Sequence, residues 1–260
     1  MPAVAPRPPE PCGLLAGRTV VVTAAAGTGI GFATARRCAL EGATVLLSDR
    51  HAQRLGEYAD RLAGEIGQPV ARLACDVTDE AAVGRLVDGA IDALGHIDTW
   101  VNNAGMGFTR TVVDTTEEEW HRIVDISLSG TFRCLRAVLP HMMARETGAI
   151  VNVGSVVGWR AEAGQGAYAA AKAGVAALTR CAAREAAPHG VRINTVVPSL
   201  ALHENVVKVS DPDFLAEIVG REPLGRAAEP WEVANTIVFL ASELSSYLTG
   251  ESLAVSSRHA

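Results

Sequence analysis

The chain has 260 residues, 48% of them apolar and 20% charged, enough to bury a large core and too apolar to stay disordered. Its net charge of −6, with Lys and Arg scattered along the chain, excludes a surface built to grip nucleic acid or anionic lipid. No run approaches the roughly 18 apolar residues of a membrane span.

The first seventeen residues, MPAVAPRPPEPCGLLAG, carry five prolines and no long apolar stretch, so residues 1–13 are expected to form a flexible arm and not a signal peptide. The five cysteines (Cys12, Cys38, Cys75, Cys134 and Cys181) lack any C-x-x-C pair. They read as free thiols in a reducing cytoplasm, with no disulfide framework and no metal site.

From residue 14 to residue 260 the pattern alternates between short β-branched runs and longer helical ones. Strands are expected at Arg18–Thr23, Thr44–Ser48, Val70–Cys75, Ile97–Asn102, Ala149–Gly154 and Val191–Val197. Their near-continuous apolar character is that of parallel strands buried on both faces. Helices at Ile30–Glu41, Ala52–Ile66 and Asp79–Leu94 each stop at a glycine. Three glutamates after Thr116 open a long helix to about Arg145, followed by helices over Gly166–Ala187 and Pro230–Ala241. The rhythm predicts one α/β domain, a doubly wound parallel sheet with helices on both faces. Residues 199–229 interrupt it with a loop-like and weakly helical stretch after the sixth strand, where a substrate lid belongs.

The first strand runs directly into Thr23-Ala-Ala-Ala-Gly27-Thr28-Gly29-Ile30-Gly31 and then a helix, the arrangement that brings backbone N–H groups close to a pyrophosphate. Eighteen residues later Asp49 ends the second strand, where an acid accepts hydrogen bonds from the adenosine ribose hydroxyls. That carboxylate favours NAD over NADP, although Arg50 beside it could pair with a 2′-phosphate. Tyr168 and Lys172 share one helix face, and an ammonium near a phenol is expected to draw its pKa from about 10 towards 7. Ser155, at the end of the fifth strand, points its hydroxyl to the crevice outside the strand ends.

Asn102-Asn103-Ala104-Gly105, Ser155, Tyr168-x-x-x-Lys172, Asp76 in CDVTD, and Asn194 with Pro198 together resemble the short-chain dehydrogenase/reductase family over residues 14–256. The resemblance implies a Rossmann-type sheet of about seven strands, the last near Ser252–Val255, and a homotetramer or homodimer. It implies that Tyr168 is the acid/base, that Lys172 lowers its pKa and binds the nicotinamide ribose, and that Ser155 holds the substrate oxygen. The cofactor contacts it implies are Thr23, Ala25, Gly27, Thr28, Gly29, Ile30, Asp49, Arg50, Asp76, Val77, Asn103, Ala104, Gly105, Tyr168, Lys172 and Pro198. Three features depart from the family pattern: alanines in the glycine loop, Ser199 after Pro198, and Ser127 where an Asn of the proton relay usually stands. TAAAGTGIG, GRAAEPWEVA and SSYLTGESLAVSS narrow the resemblance to a subgroup of actinobacterial steroid-degradation dehydrogenases. That subgroup implies a hydrindane carboxyl-CoA thioester from cholesterol as substrate. The alternatives are a 3-oxoacyl-thioester reductase, with the same catalytic residues and a narrower channel under the lid, and a catalytically silent NAD(H)-binding sensor.

Overall fold

The apolar runs become seven parallel strands in the order β3-β2-β1-β4-β5-β6-β7 in a computed structural model that describes residues 5–160, 162–209 and 212–257. They are β1 (Thr19–Val22), β2 (Thr44–Asp49), β3 (Ala71–Ala74), β4 (Thr99–Asn102), β5 (Gly148–Val153), β6 (Val191–Pro198) and β7 (Ser252–Val255). Side chains alternate across each strand, and both faces are apolar. Val20, Val22, Leu47, Val101, Val151 and Val196 pack beneath α1 (Ile30–Leu40), α2 (Ala52–Ile66) and α9 (Pro230–Ala241). Val21, Leu46, Trp100, Ile150 and Ile193 pack beneath α3 (Glu80–Leu94), α5 (Gly130–Ala144) and α6 (Gly166–Ala186). The sheet reverses direction of growth between β1 and β4, which opens a crevice at their carboxyl ends.

Three expectations are corrected. β3 forms one edge of the sheet and is only half-buried, not covered on both faces. The long helix expected to run to Arg145 is α4 (Glu117–Val124), one π turn (Asp125–Ser129) and then α5. Residues 199–229 carry two short helices, α7 (Glu204–Val209) and α8 (Pro212–Gly220). The stem of this stretch is fastened: Leu202 N donates to Ala228 O and Ala228 N to Leu200 O, both at 2.9 Å.

The third correction concerns the arm, which is docked at its second half. Glu41, fully buried at the end of α1, accepts hydrogen bonds from the amides of Cys12 and Leu14, both at 3.0 Å. Arg37 pairs with the other carboxylate oxygen and donates to Pro9 O at 2.6 Å. Burial pushes the Glu41 carboxyl up, but the two amides and the Arg37 charge more than offset it and hold the group below its ordinary 4.5. Its contribution to stability is therefore complete above pH 4.5 and lost as pH falls through the depressed folded-state value. Glu41→Ala, which strands Arg37 and both amides, is expected to cost about 3 kcal/mol in chemical denaturation at pH 7. Acid should narrow that difference, and an equal gap at pH 7 and pH 3 would contradict the assignment.

Candidate active site

A cleft of about 610 Å³ lies outside the carboxyl ends of β1, β2 and β4. Its floor is the turn from β1 into α1. Gly31 is indispensable there, because a β-carbon would come within 2.4 Å of Ala24 O and 2.5 Å of Asn103 Nδ2. Asn103 fastens the turn to the end of β4, donating from Nδ2 to Thr23 O at 3.1 Å and Ala24 O at 3.0 Å. Thr23 returns the link, its buried hydroxyl donating to Val101 O and accepting from Asn103 N. Gly29 N-caps α1 without any side-chain hydrogen bond, so the positive end of the helix faces the cleft. Gly27, Gly29, Ile30, Ala104 and Gly105 line the cleft, whereas Thr23, Ala25, Thr28 and Pro198 stand outside its lining.

The opposite end is acidic and polar. Asp49 is buried, its Oδ2 accepting from Ala26 N at 3.2 Å and its Oδ1 from His51 N at 3.0 Å and Arg54 Nη2 at 3.4 Å. Arg50 donates through Nε to His51 Nε2. Burial pushes the Asp76 carboxyl up, but hydrogen bonds from the Thr78 amide and hydroxyl and the charge of Arg50 leave it below its ordinary value. Asp49, Arg50, Asp76 and Val77 all line the cleft. An uncapped helix N-terminus at one end and two carboxylates beside an apolar wall at the other fit a dinucleotide.

Across the cleft stands the first turn of α6. The Ser155 hydroxyl lies beside the Tyr168 phenol and accepts from Val157 N at 3.4 Å, and Tyr168 lines the cleft. Lys172 lies one turn on, 3% exposed, with Nζ donating to Val153 O at 2.6 Å. Its ammonium is 5.6 Å from the Tyr168 ring centroid. The segment from Asn103 to Gly107 crosses both side chains so closely that β-carbons on Gly105 and Gly107 would lie 3.1 Å from Lys172 Nζ and 3.0 Å from the Tyr168 ring.

The electrostatics correct one expectation. Burial pushes the Tyr168 phenol up to about 12, and the neighbouring Ser155 hydroxyl offsets only part of this. The same burial pulls Lys172 down to about 8. Desolvation wins over the ammonium because Nζ is turned to a backbone carbonyl and not to the phenol oxygen.

Ser127 sits at the centre of the π turn, fully buried. Its hydroxyl donates to Met106 O at 3.1 Å and accepts from Met106 N at 3.0 Å. Its one proton is therefore committed to tying the 103–107 segment to α4 and α5. Sequence reasoning missed Met106, Arg122, Ile126 and His203, all in the cleft lining. No short motif marks them; they reach the cleft from the 103–107 segment, α4, the π turn and the stretch before α7.

Three comparisons agree with this geometry. The family model described as Enoyl-(Acyl carrier protein) reductase matches residues 24–257. The chain belongs to the short-chain dehydrogenase/reductase family and is an oxidoreductase. Members of that family generally bind NAD or NADP. More particularly, it is 53% identical over 258 residues to the (5R,7aS)-5-hydroxy-7a-methyl-1-oxo-2,3,5,6,7,7a-hexahydro-1H-indene-carboxyl-CoA reductase of Mycobacterium tuberculosis, covering 99% of this chain and 98% of that one. A 3-oxoacyl-[acyl-carrier-protein] reductase of Thermotoga maritima is 38% identical over 93% of this chain and 97% of its own length. The crystal structure of a short chain dehydrogenase from Mycobacterium smegmatis superposes with a TM-score of 0.88 at 49% identity, covering 99% of both chains. No helix among the described residues is long and apolar enough to cross a membrane.

The alanines of the glycine loop have a measurable consequence. Ala24 has φ +50, a left-handed conformation that costs a residue with a β-carbon roughly 1–2 kcal/mol. Ala24→Gly is expected to stabilise the protein by about 1 kcal/mol in urea denaturation. A destabilised variant would mean that the methyl group's packing outweighs the strain.

Proposed function

We propose that this chain transfers a hydride between NAD(H) and a ring alcohol or ketone of a bicyclic, steroid-derived carboxyl-CoA thioester. The observation that carries the reading is Tyr168 in the cleft wall with the Ser155 hydroxyl beside it and Lys172 buried behind it, 5.6 Å from the ring centroid. The substrate class is supported by the 53% identity to the mycobacterial reductase. The lid supports it too, bringing apolar Val206 into the cleft lining.

The dinucleotide, when bound, supplies or accepts the hydride. Ser155 hydrogen-bonds the substrate oxygen, and Tyr168 holds the proton that this oxygen gains in reduction or loses in oxidation. A phenol kept protonated by burial is ready to act as the acid, which favours reduction of a ketone at neutral pH. Lys172, drawn near neutrality, is the reservoir from which Tyr168 recovers its proton. Ser127 acts by positioning, holding the 103–107 segment over both side chains. Asp49 favours NAD because its fixed, buried carboxylate would face a 2′-phosphate at close range. Trp120 on α4 and Phe132 on α5 are 41% and 43% exposed, which supports self-association through these helices.

The reading is tested by NADH consumption with the 5-oxo hydrindane carboxyl-CoA thioester. Rapid oxidation of NADH is expected, and Tyr168→Phe should lower kcat by about 10²–10⁴ while leaving NADH binding intact. A Tyr168→Phe protein that turns over normally would remove the phenol from the mechanism. A second reading, 3-oxoacyl-thioester reduction, draws on the resemblance to the Thermotoga enzyme and predicts preference for a straight-chain 3-oxoacyl-CoA. For the cofactor, Asp49→Ala is expected to improve kcat/KM with NADPH relative to NADH by at least about tenfold, the effect of removing one close repulsion. An unchanged ratio would take the choice of nucleotide away from Asp49.

A further inference from the structure

The segment joining β3 to α3 is anchored by its own polar side chains. Asp76 Oδ1 accepts from Thr78 N at 3.0 Å and from Thr78 Oγ1 at 2.8 Å, and Asp79 caps α3. Between these anchors stands Val77, buried and part of the cleft lining. Its carbonyl accepts at 3.3 Å from Nη1 of Arg133, on α5. The same guanidinium donates from Nη1 to Asp125 O at 3.5 Å and from Nη2 to the Asp125 carboxylate at 2.7 Å. Asp125 opens the π turn, and the residue after it, Ile126, also lines the cleft. One planar cation therefore joins two stretches of lining that lie far apart in the chain. Gly130, the first residue of α5, lets them come close. A β-carbon there would lie 2.7 Å from Val77 Cγ2 and 3.1 Å from Val77 Cβ, so the valine packs on bare backbone.

We propose that Arg133, braced by Asp125, is a positioning residue for the purine end of the dinucleotide: it fixes Val77 against the π turn and so sets the gap between Val77 and Ile126 that receives the base. This rests on the dinucleotide reading of the cleft, and the ligand series below separates the two. Two apolar side chains at a fixed spacing, with the Asp76 carboxylate at their edge, suit a flat heteroaromatic ring with polar edges. Arg133 touches the backbone of this seat and is absent from the cleft lining. An arginine suits the task because its fork reaches a carbonyl with one nitrogen and a carboxylate with the other, and the charge strengthens both bonds. The loss of such a brace falls on the base and leaves the nicotinamide end, across the cleft at Tyr168, as it is.

The experiment is a calorimetric titration of the full-length protein with NADH, AMP and nicotinamide mononucleotide. It compares wild type, Arg133→Ala, Asp125→Ala, Asp125→Asn and the double alanine variant. Arg133→Ala is expected to weaken NADH and AMP about tenfold, the effect of losing hydrogen bonds from a charged donor, and to leave nicotinamide mononucleotide unchanged. In turnover the loss should appear in the KM for NADH and not in kcat. Asp125→Ala should shift AMP in the same direction by less, and Asp125→Asn, which keeps the acceptor, should restore binding. The double variant should bind AMP no more weakly than Arg133→Ala, because the pair acts as one brace. Unchanged AMP binding in Arg133→Ala would overturn the proposal. So would equal losses for AMP and nicotinamide mononucleotide, since the cleft would then have loosened as a whole, or fully additive losses in the double variant. If Arg133→Ala does not fold, the Asp125→Ala and Asp125→Asn pair decides by the same comparison: AMP weakened in the first and restored in the second supports the brace, and no difference between them overturns it. A wild-type protein that binds neither NADH nor AMP would overturn the dinucleotide reading itself, and this role with it.

Discussion

A chain of buried amide and hydroxyl groups under the cleft holds the site together. Trp100 Nε1 donates to Asn102, Asn102 to Asn152, and Asn152 to Thr179, each at 2.8 Å. Thr195 donates to the same Thr179 oxygen, which passes its own proton to Val175 O. This line crosses β4, β5 and β6 and ends on α6, two turns beyond Lys172. Both faces of the sheet are apolar, so hydrophobic burial alone would accept β5 shifted by two residues against β4. The Asn102–Asn152 pair would not, because each amide would then be buried without a partner. Register, and with it the position of Ser155 against Tyr168, depends on these few polar contacts.

The cleft shows a division of labour that follows from where each wall originates. The glycine loop, Asn103 and Asp49 belong to rigid strand ends and are cross-linked to one another. Tyr168 and Lys172 belong to a helix fixed from below. Residues 199–229 are joined to this frame at their stem, through Arg221 to Glu162, and through Glu222 to Ser257. On the proposed reading, cofactor recognition falls to the frame and the choice of substrate to the part that varies most easily. The inversion of the two pKa directions belongs to the same picture: a dry pocket disfavours the charged form of both groups, phenolate and ammonium alike.

Most of the frame was legible in the sequence. β-branched runs marked six strands, the resemblance supplied the seventh, and Gly42, Gly67 and Gly95, all with positive φ, marked the ends of three helices. The spacing of Tyr168 and Lys172 placed both on one face. What escaped depends on contacts between distant residues. The arm looked free because Glu41 lies 27 residues beyond Leu14. The π turn has no composition of its own and exists because Ser127 must meet Met106. A sequence displays the lysine next to the tyrosine but not the depth at which both are buried, so the sign of the shift on Tyr168 was read wrongly. His203 belongs to no motif and reaches the cleft from a segment whose helices are short and weakly marked.

The fastened stem of the lid has an implication for how such enzymes diversify. Leu200, Leu202 and Ala228 bring the two ends of a long excursion together before it leaves the frame. Once its ends are joined, lengthening a loop is thermodynamically mild, about 0.6 kcal/mol for each doubling. The segment between them behaves as a cartridge in a socket. It can be exchanged, enlarged or reshaped for a bulkier or slimmer substrate while the sheet, the glycine loop and the Ser155–Tyr168–Lys172 group keep their places.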